Sequence, residues 1–152
     1  MKIREATKDD GKWLLHHRIG MFTDMGEPDD YIQGTIELTN KYLEGDWTKD
    51  YRYFLVEANG DVIGGCGISS FRVPPQVSQP KGVYAYLSNM FVEREHRGKG
   101  VGRKLLKHVI DVCKQERIGL LFLHASEHGK PLYESEGFKA KTHLMALRTS
   151  DS

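Results

Sequence analysis

The segment that most restricts how this chain can fold reads Val92-Glu93-Arg94-Glu95-His96-Arg97-Gly98-Lys99-Gly100-Val101-Gly102-Arg103-Lys104. On its amino side, Val83 to Val92 predicts a strand. On its carboxyl side, Val101, Leu105, Leu106, Val109, Ile110, Val112 and Cys113 recur at three- and four-residue steps. That spacing predicts an amphipathic helix from Gly100 to about Arg117. The apolar run Gly119 to His124 predicts the next strand. Strand, helix and strand in this order place the two strands parallel, joined by a crossover. Any fold for the chain has to contain that unit.

The turn inside the unit also carries chemistry. Glycines at 98, 100 and 102 remove side chains that would keep a ligand from the backbone. The first amides of a helix have no intrahelical acceptor, and the helix dipole adds partial positive charge there. Arg97, Lys99, Arg103 and Lys104 bring full charges to the same place. A pyrophosphate is the natural guest, although a glycine-rich turn with a solvated basic face explains the same residues. A Walker-type loop does not fit, because Gly102 is followed by Arg103-Lys104 rather than Lys and Ser or Thr. The dinucleotide fingerprint needs a third glycine where Arg103 or Leu105 stands.

The rest of the chain supplies a mixed sheet. Lys2 to Ala6 predicts a first strand, and Thr7 to Asp10 supplies capping residues for a helix from about Gly11 to Phe22. An acidic loop with Asp24, Glu27, Asp29 and Asp30 leads to a second helix, from Asp30 to about Leu43. Two strands follow around Asn59-Gly60, a pair suited to a hairpin because both turn positions need positive φ. Gly64, Gly65 and Gly67 in the second of them predict a bulge or a close backbone approach. Val73 to Gly82, with three prolines, reads as an irregular excursion. A short helix is expected at Pro131 to Glu136, capped by Gly137, and a last strand at Leu144 to Leu147.

Composition narrows the class. The chain has 152 residues, 39% hydrophobic and 28% charged, enough for one domain with a sizeable core, taken as 1–152. No apolar run approaches the roughly 18–20 residues that cross a bilayer, and the first residues lack the apolar core of a signal peptide. A soluble, cytoplasmic protein without membrane attachment is expected. Cys66 and Cys113 match no disulfide scaffold or zinc motif and read as small core residues. His16 and His17 are adjacent and face different directions on a helix, so no metal site is expected. The net charge of +1 conceals an asymmetry. Residues 1–50 carry 7 Lys/Arg against 11 Asp/Glu, and residues 51–152 carry 15 against 10. The front of the chain suits a cation, the back an anion.

Arg97-x-x-Gly100-x-Gly102, preceded by Met90-Phe91-Val92, resembles the signature of the GNAT superfamily of N-acetyltransferases. A second element agrees downstream: Leu121-Phe122-Leu123-His124-Ala125-Ser126, then Pro131-Leu132-Tyr133-Glu134-Ser135-Glu136-Gly137-Phe138. The resemblance implies an α/β (α+β) domain with a mostly antiparallel central sheet, flanked by helices, whose parallel fourth and fifth strands splay apart. It implies acetyl-coenzyme A as cosubstrate and a primary amine of a small molecule or peptide as acceptor, attacked directly in a ternary complex. Met90, Phe91, Val92, Arg97, Gly98, Lys99, Gly100, Val101, Gly102 and Arg103 would bind the coenzyme, with Ser126 from the later loop. In that loop many members carry Asn and Ala where this chain aligns Ser126 and Gly129. Tyr133 is the candidate general acid for the departing thiolate, a role suited to a reference pKa near 10. On pattern alone, a helix tyrosine packing its ring is the commoner reading, and the resemblance reverses that preference. Glu27, Asp24, His124 and Glu127 are the candidate bases, and the acidic loop would attract cationic amines.

Two other functions fit parts of the sequence. One is a catalytically silent acyl-coenzyme A sensor on the same fold, which retention of Tyr133 disfavours. The other is a nucleic-acid-binding module using the basic stretch Arg94 to Lys107. Its charges, however, cluster at one helix start, and no aromatic-glycine RNA motif accompanies them. Many family members pair, so a homodimer is compatible with the resemblance.

Overall fold

The computed structural model describes residues 1–141 and 143–150. Among them, five strands form one sheet in chain order: β1 (Lys2–Glu5), β2 (Arg52–Ala58), β3 (Asp61–Arg72), β4 (Val83–Val92) and β5 (Leu120–Phe122). The first three pairings are antiparallel, and β4 with β5 is parallel. The helices α1 (Gly11–Asp24), α2 (Asp29–Leu43), α3 (Val101–Gln115) and α4 (Lys130–Ser135) surround the sheet. Asn59 and Gly60 take φ of 53° and 86°, the positive pair the β2–β3 hairpin demands.

The sheet is buried on both faces. One face carries Phe54, Val56, Cys66, Ile68, Ala85 and Leu87 against Val101, Leu105, Leu106, Val109 and Cys113 of α3. These α3 residues belong to its apolar stripe, whose Ile110 and Val112 are only partly buried. The opposite face, under α1, buries Leu14, Trp47, Tyr51, Tyr53 and Leu55. Tyr51 and Tyr53 lie flat across the sheet because β3 offers glycine beneath them. A Cβ on Gly67 would collide with the Tyr51 ring, and one on Gly65 would sit 2.8 Å from Tyr53. The close approach expected of these glycines is thus made by the protein's own tyrosines.

An irregularity in β4 decides what each face receives. Gly67 pairs with Ser88 and Gly65 with Phe91, so Cys66 faces both Asn89 and Met90. The extra residue is absorbed at Asn89, whose φ is 58°, a value Asn tolerates better than most residues. Beyond this bulge the alternation reverses. Met90 and Val92 pack toward α3, while Phe91 stacks on His17 of α1 at 5.4 Å between ring centroids.

Two expectations need correction. The strand expected at Gly119–His124 is confined to Leu120–Phe122. No strand forms at Leu144–Leu147, where Leu144, Met145 and Leu147 are exposed. Those residues have strand character in isolation, but a strand needs a neighbour to satisfy its backbone groups. None of the described residues supplies one. Among the described residues, no helix is long and apolar enough to cross a membrane.

Candidate active site

The parallel pairing between β4 and β5 is brief. It joins Tyr84 with Leu120, Ala85 with Leu121 and Tyr86 with Phe122, and then ends. From Leu87 to Val92, the β4 edge that faced β5 has no strand beside it among the described residues. The splay therefore begins immediately after Tyr86. His124 stands at this mouth, its Nδ1 2.8 Å from the Tyr86 hydroxyl.

The β4 edge runs directly into the turn before α3. Gly98 and Gly100 take φ of 73° and 80°, and none of the described residues lies within 4 Å of where their Cβ atoms would be. Glycine is needed here for backbone conformation, with open space outside. Gly102 has a different reason. Its Cβ would approach Leu132 of α4 at 3.4 Å, so it sets how closely α3 and α4 pack. The first helical bond runs from the Lys104 amide to the Gly100 carbonyl, and no described side chain caps the helix. Hence the amides from Gly98 to Arg103 find no acceptor among the described residues. A run of unpaired donors at a positive helix end, beside open space, fits a diphosphate.

The basic side chains of this region are largely committed elsewhere. Arg97 donates from Nε to the Val92 carbonyl at 2.8 Å and from Nη2 to Asp24 at 2.6 Å, and lies over the Phe91 ring. Arg103 turns to Ser135 and Glu136 near α4, and Lys104 donates to the Met1 carbonyl. The backbone of the turn, more than its side chains, is what remains available to an anion.

Tyr133 is fixed by the way α4 ends. Gly137, with φ of 95°, follows the last turn. The Phe138 amide donates to the Tyr133 carbonyl and the Gly137 amide to that of Glu134, both at 3.1 Å. This pair of bonds is the Schellman arrangement, and the accompanying apolar contact joins Tyr133 to Phe138. The spacing from Tyr133 to Gly137-Phe138 is therefore a helix stop that locks the tyrosine. Burial, with Cys66 and then Tyr86 adding to it, pushes its phenol up to about 12. It is neutral and protonated throughout the neutral range. Ser126 accepts from the Gly129 amide through Oγ at 3.0 Å, so its hydroxyl shapes the turn entering α4.

The acidic loop is not uniformly free. Burial alone would raise the Asp24 carboxyl. The hydrogen bonds from Arg94 and Arg97 outweigh it and hold the group below the usual carboxylate range. Asp24 thus braces the turn and is poorly placed to take up a proton. Glu27 is half-buried at the entry to α2, its backbone amide bonded to the Phe22 carbonyl. Glu127 is exposed, one residue past Ser126.

On the α1 side of β4 lies a cavity of about 440 Å³, whose lining includes Arg18, Thr35, Thr39, Tyr51 and Ser88. Below it runs a buried chain of polar groups. His17 Nδ1 lies 2.8 Å from the Tyr53 hydroxyl, and the Asn89 amide donates to the same oxygen at 3.0 Å. The Tyr53 hydroxyl also reaches the Asn89 carbonyl at 3.4 Å. His17 Nε2 is buried with no partner among the described residues. An unpaired acceptor costs less than an unpaired donor here, which favours the tautomer with its proton on Nδ1, given to Tyr53. The Tyr53 proton is then free for the Asn89 carbonyl. Burial, reinforced by His16, lowers His17 to about 3, so it is neutral. This chain pins the bulge.

Sequence reasoning misses Arg18, His17, Tyr53 and Asn89. Arg18 and His17 sit in a helix whose apolar and polar residues are weakly segregated. Asn89 gives one signal in retrospect: a lone amide in an otherwise apolar strand, immediately before Met90-Phe91-Val92.

Residues 16–138 match the Acetyltransferase (GNAT) family. A GCN5-related N-acetyltransferase from Ralstonia eutropha superposes with a TM-score of 0.85 at 24% identity, covering 98% of this chain and 99% of that one. A predicted acetyltransferase from Clostridium acetobutylicum, solved with acetyl-CoA, gives 0.79 at 26% identity, covering 97% and 95%. Among curated proteins, a glucosamine 6-phosphate N-acetyltransferase of Trypanosoma brucei brucei is 23% identical over 63% of both chains. A spermine/spermidine N(1)-acetyltransferase of Bacillus subtilis is 30% identical over 53% of this chain and 54% of its own. The match thus spans less than two thirds of these curated relatives. The family match, over most of the chain and across both the turn and Tyr133, shows that the chain belongs to the GNAT family of acetyltransferases.

Proposed function

We propose that the protein transfers an acetyl group from acetyl-coenzyme A to a primary amine, by direct attack within a ternary complex. The observation that carries this reading is the run of unpaired amides from Gly98 to Arg103, continuous with a β4 edge that β5 has left. The diphosphate of the coenzyme is the charge complement of the turn, and its arm carries peptide-like amides that suit a vacant strand edge. The Clostridium acetobutylicum relative, similar in fold and 26% identical, was solved with acetyl-CoA.

Bound acetyl-coenzyme A supplies an activated thioester carbonyl. The residues of this chain do the rest. Amides at Met90 to Val92 orient the arm, and one of them polarises the carbonyl, stabilising the negative charge that develops on its oxygen. Tyr133 holds a proton at its phenol for the departing sulfur. A phenol at about 12 is a weaker acid than an ordinary thiol near 8.5, so Tyr133 chiefly donates a hydrogen bond to the charge building on sulfur. Full transfer of its proton requires that the phenol be reprotonated by the proton the amine gives up. His124, hydrogen-bonded to Tyr86 at the mouth of the splay, is assigned the uptake of the amine's proton, directly or through water. Glu27 is the second candidate for that role.

The test is calorimetric titration with acetyl-coenzyme A, followed by thiol release across a panel of amines. Saturable binding and amine-dependent thiol release are expected. Binding without release from any amine would leave a sensor, and no binding would remove the reading altogether.

A further inference from the structure

We infer that the acceptor amine also carries an oxyanion, a carboxylate or a phosphate, and that Arg18 receives it. This rests on the acetyl-transfer reading and names the substrate class within it.

The cavity between α1, α2 and the sheet contains one full charge, Arg18, and no carboxylate in its lining. Arg18 donates from Nε to Thr39 Oγ1 at 3.2 Å and from Nη1 toward Asn89 Oδ1 at 3.5 Å, both neutral acceptors. Its guanidinium lies 5.3 Å from the centre of the Phe22 ring. Among the described residues, no Asp or Glu lies within salt-bridge distance of it, whereas Arg4, Arg52, Arg94, Arg97 and Arg103 each have an acidic partner. Among the same residues Arg72, Arg117 and Arg148 also lack one, but they are exposed where Arg18 is half-buried. A guanidinium keeps its proton, and a half-buried one whose partners are all neutral gains from an anion that brings a countercharge. Its flat fork suits a carboxylate or phosphate in two-point contact.

The position matters as much as the charge. Arg18 bonds the side chain of Asn89, the bulge residue of β4, and Ser88 on its other side lines the same cavity. An oxyanion on Arg18 therefore belongs to the same small molecule as an amine directed at the neighbouring β4 edge. Hydroxyls of Thr35, Thr39 and Ser88 line the remaining polar wall, with Tyr51 bonded to Ser88 Oγ at 2.8 Å. Of the acids between α1 and α2, Asp24 is held by Arg94 and Arg97, and Glu27, Asp29 and Asp30 are not among the residues that line the cavity. A polycationic amine would meet an uncompensated cation in this cavity. An amine bearing an acid would neutralise it.

The experiment compares matched pairs that differ only in the acid: glucosamine 6-phosphate against glucosamine, and an amino acid against its carboxamide, with spermine as the polycation. Each is assayed by thiol release with acetyl-coenzyme A, using the wild type, Arg18→Gln and Arg18→Lys. Each is also titrated calorimetrically, an arm that needs no turnover. A preference for the acid in at least one pair, of about 10- to 100-fold in kcat/KM or Kd, is expected, because a hydrogen bond to a charged group is worth that much. Arg18→Gln should collapse that ratio toward one by raising KM, and Arg18→Lys should restore part of it. A merely structural role for Arg18 would lower both members of a pair together. Equal handling of acid and neutral partners in both pairs, or spermine used best, overturns the inference while leaving acetyl transfer intact. Thiol release from no amine is the failure of acetyl transfer itself. The titrations then decide the oxyanion site alone: acid binding lost in Arg18→Gln supports it, and equal binding overturns it. The wild-type pairs discriminate between these outcomes even if a variant fails to fold.

Discussion

The carboxylate of Asp24 and the guanidinium of Arg97 meet at 2.6 Å, tying the last residue of α1 to the turn that opens α3. The same carboxylate takes Arg94 on its other oxygen at 2.9 Å. A negative group therefore stands close to the proposed diphosphate site, offsetting two of its cations. Asp24→Asn keeps the shape and removes the charge. Coenzyme A is expected to bind severalfold more tightly to this variant at low salt, with the difference fading at high salt as charges are screened. Calorimetry at two ionic strengths measures it. Equal affinities at both would put Asp24 outside the field of the diphosphate.

Gly100 adopts φ of 80° with open space where a side chain would begin, so any cost of replacing it is conformational. Gly100→Ala should lose about 1–2 kcal/mol, because L-residues with a Cβ are disfavoured in the left-handed region. If the turn relaxes to avoid that cost, its amides turn away from the diphosphate and coenzyme affinity falls about tenfold. Gly100→Asn should suffer less on both counts, since Asn tolerates this conformation. Urea melts and calorimetry together check the ordering glycine, asparagine, alanine. Alanine matching the wild type in affinity would detach the turn from coenzyme binding.

Tyr133→Phe removes one hydroxyl from a side chain whose position is fixed by backbone bonds from Gly137 and Phe138. The helix stop does not depend on the hydroxyl, so the fold should be retained. Turnover is expected to fall about 10- to 1000-fold, with coenzyme affinity nearly unchanged. Thiol-release kinetics and calorimetry on the same preparation separate the two quantities. Unchanged turnover would reduce Tyr133 to a core residue.

What the sequence discloses and what it hides divides along the range of the interactions. The hairpin at Asn59-Gly60, the apolar stripe of α3 and the stop after Tyr133 are local, each written within a few residues, and each forms as expected. The unpaired amides of Gly98 to Arg103 follow from local glycines too. The bulge at Asn89 is different. It depends on glycines across the sheet in β3, on a tyrosine from β2 and on a histidine from α1, which no window of sequence brings together. Arg18 is hidden for the same reason, because its isolation is a property of the cavity around it. Leu144 to Leu147 shows the converse error, where a local strand pattern meets no neighbouring edge among the described residues.

His17 gives the protein a specific sensitivity to acid. In the folded state burial lowers it to about 3, whereas an unfolded chain's histidine titrates near 6.5. Between those values the unfolded state binds a proton that the folded state refuses. Folding stability is therefore full above about pH 6.5 and declines as pH falls toward 3, by about 1.4 kcal/mol for each pH unit fully inside the window. Replacing the imidazole with a group that does not titrate should flatten that limb. His17→Gln is expected to be less stable than the wild type at pH 7, because it disturbs the Tyr53–Asn89 contacts beneath the bulge. It should approach or overtake the wild type near pH 4. Urea unfolding at several pH values between 7 and 4 gives the two curves. Parallel curves would mean that another group sets the acid limb and that His17 is protonated without loss of structure.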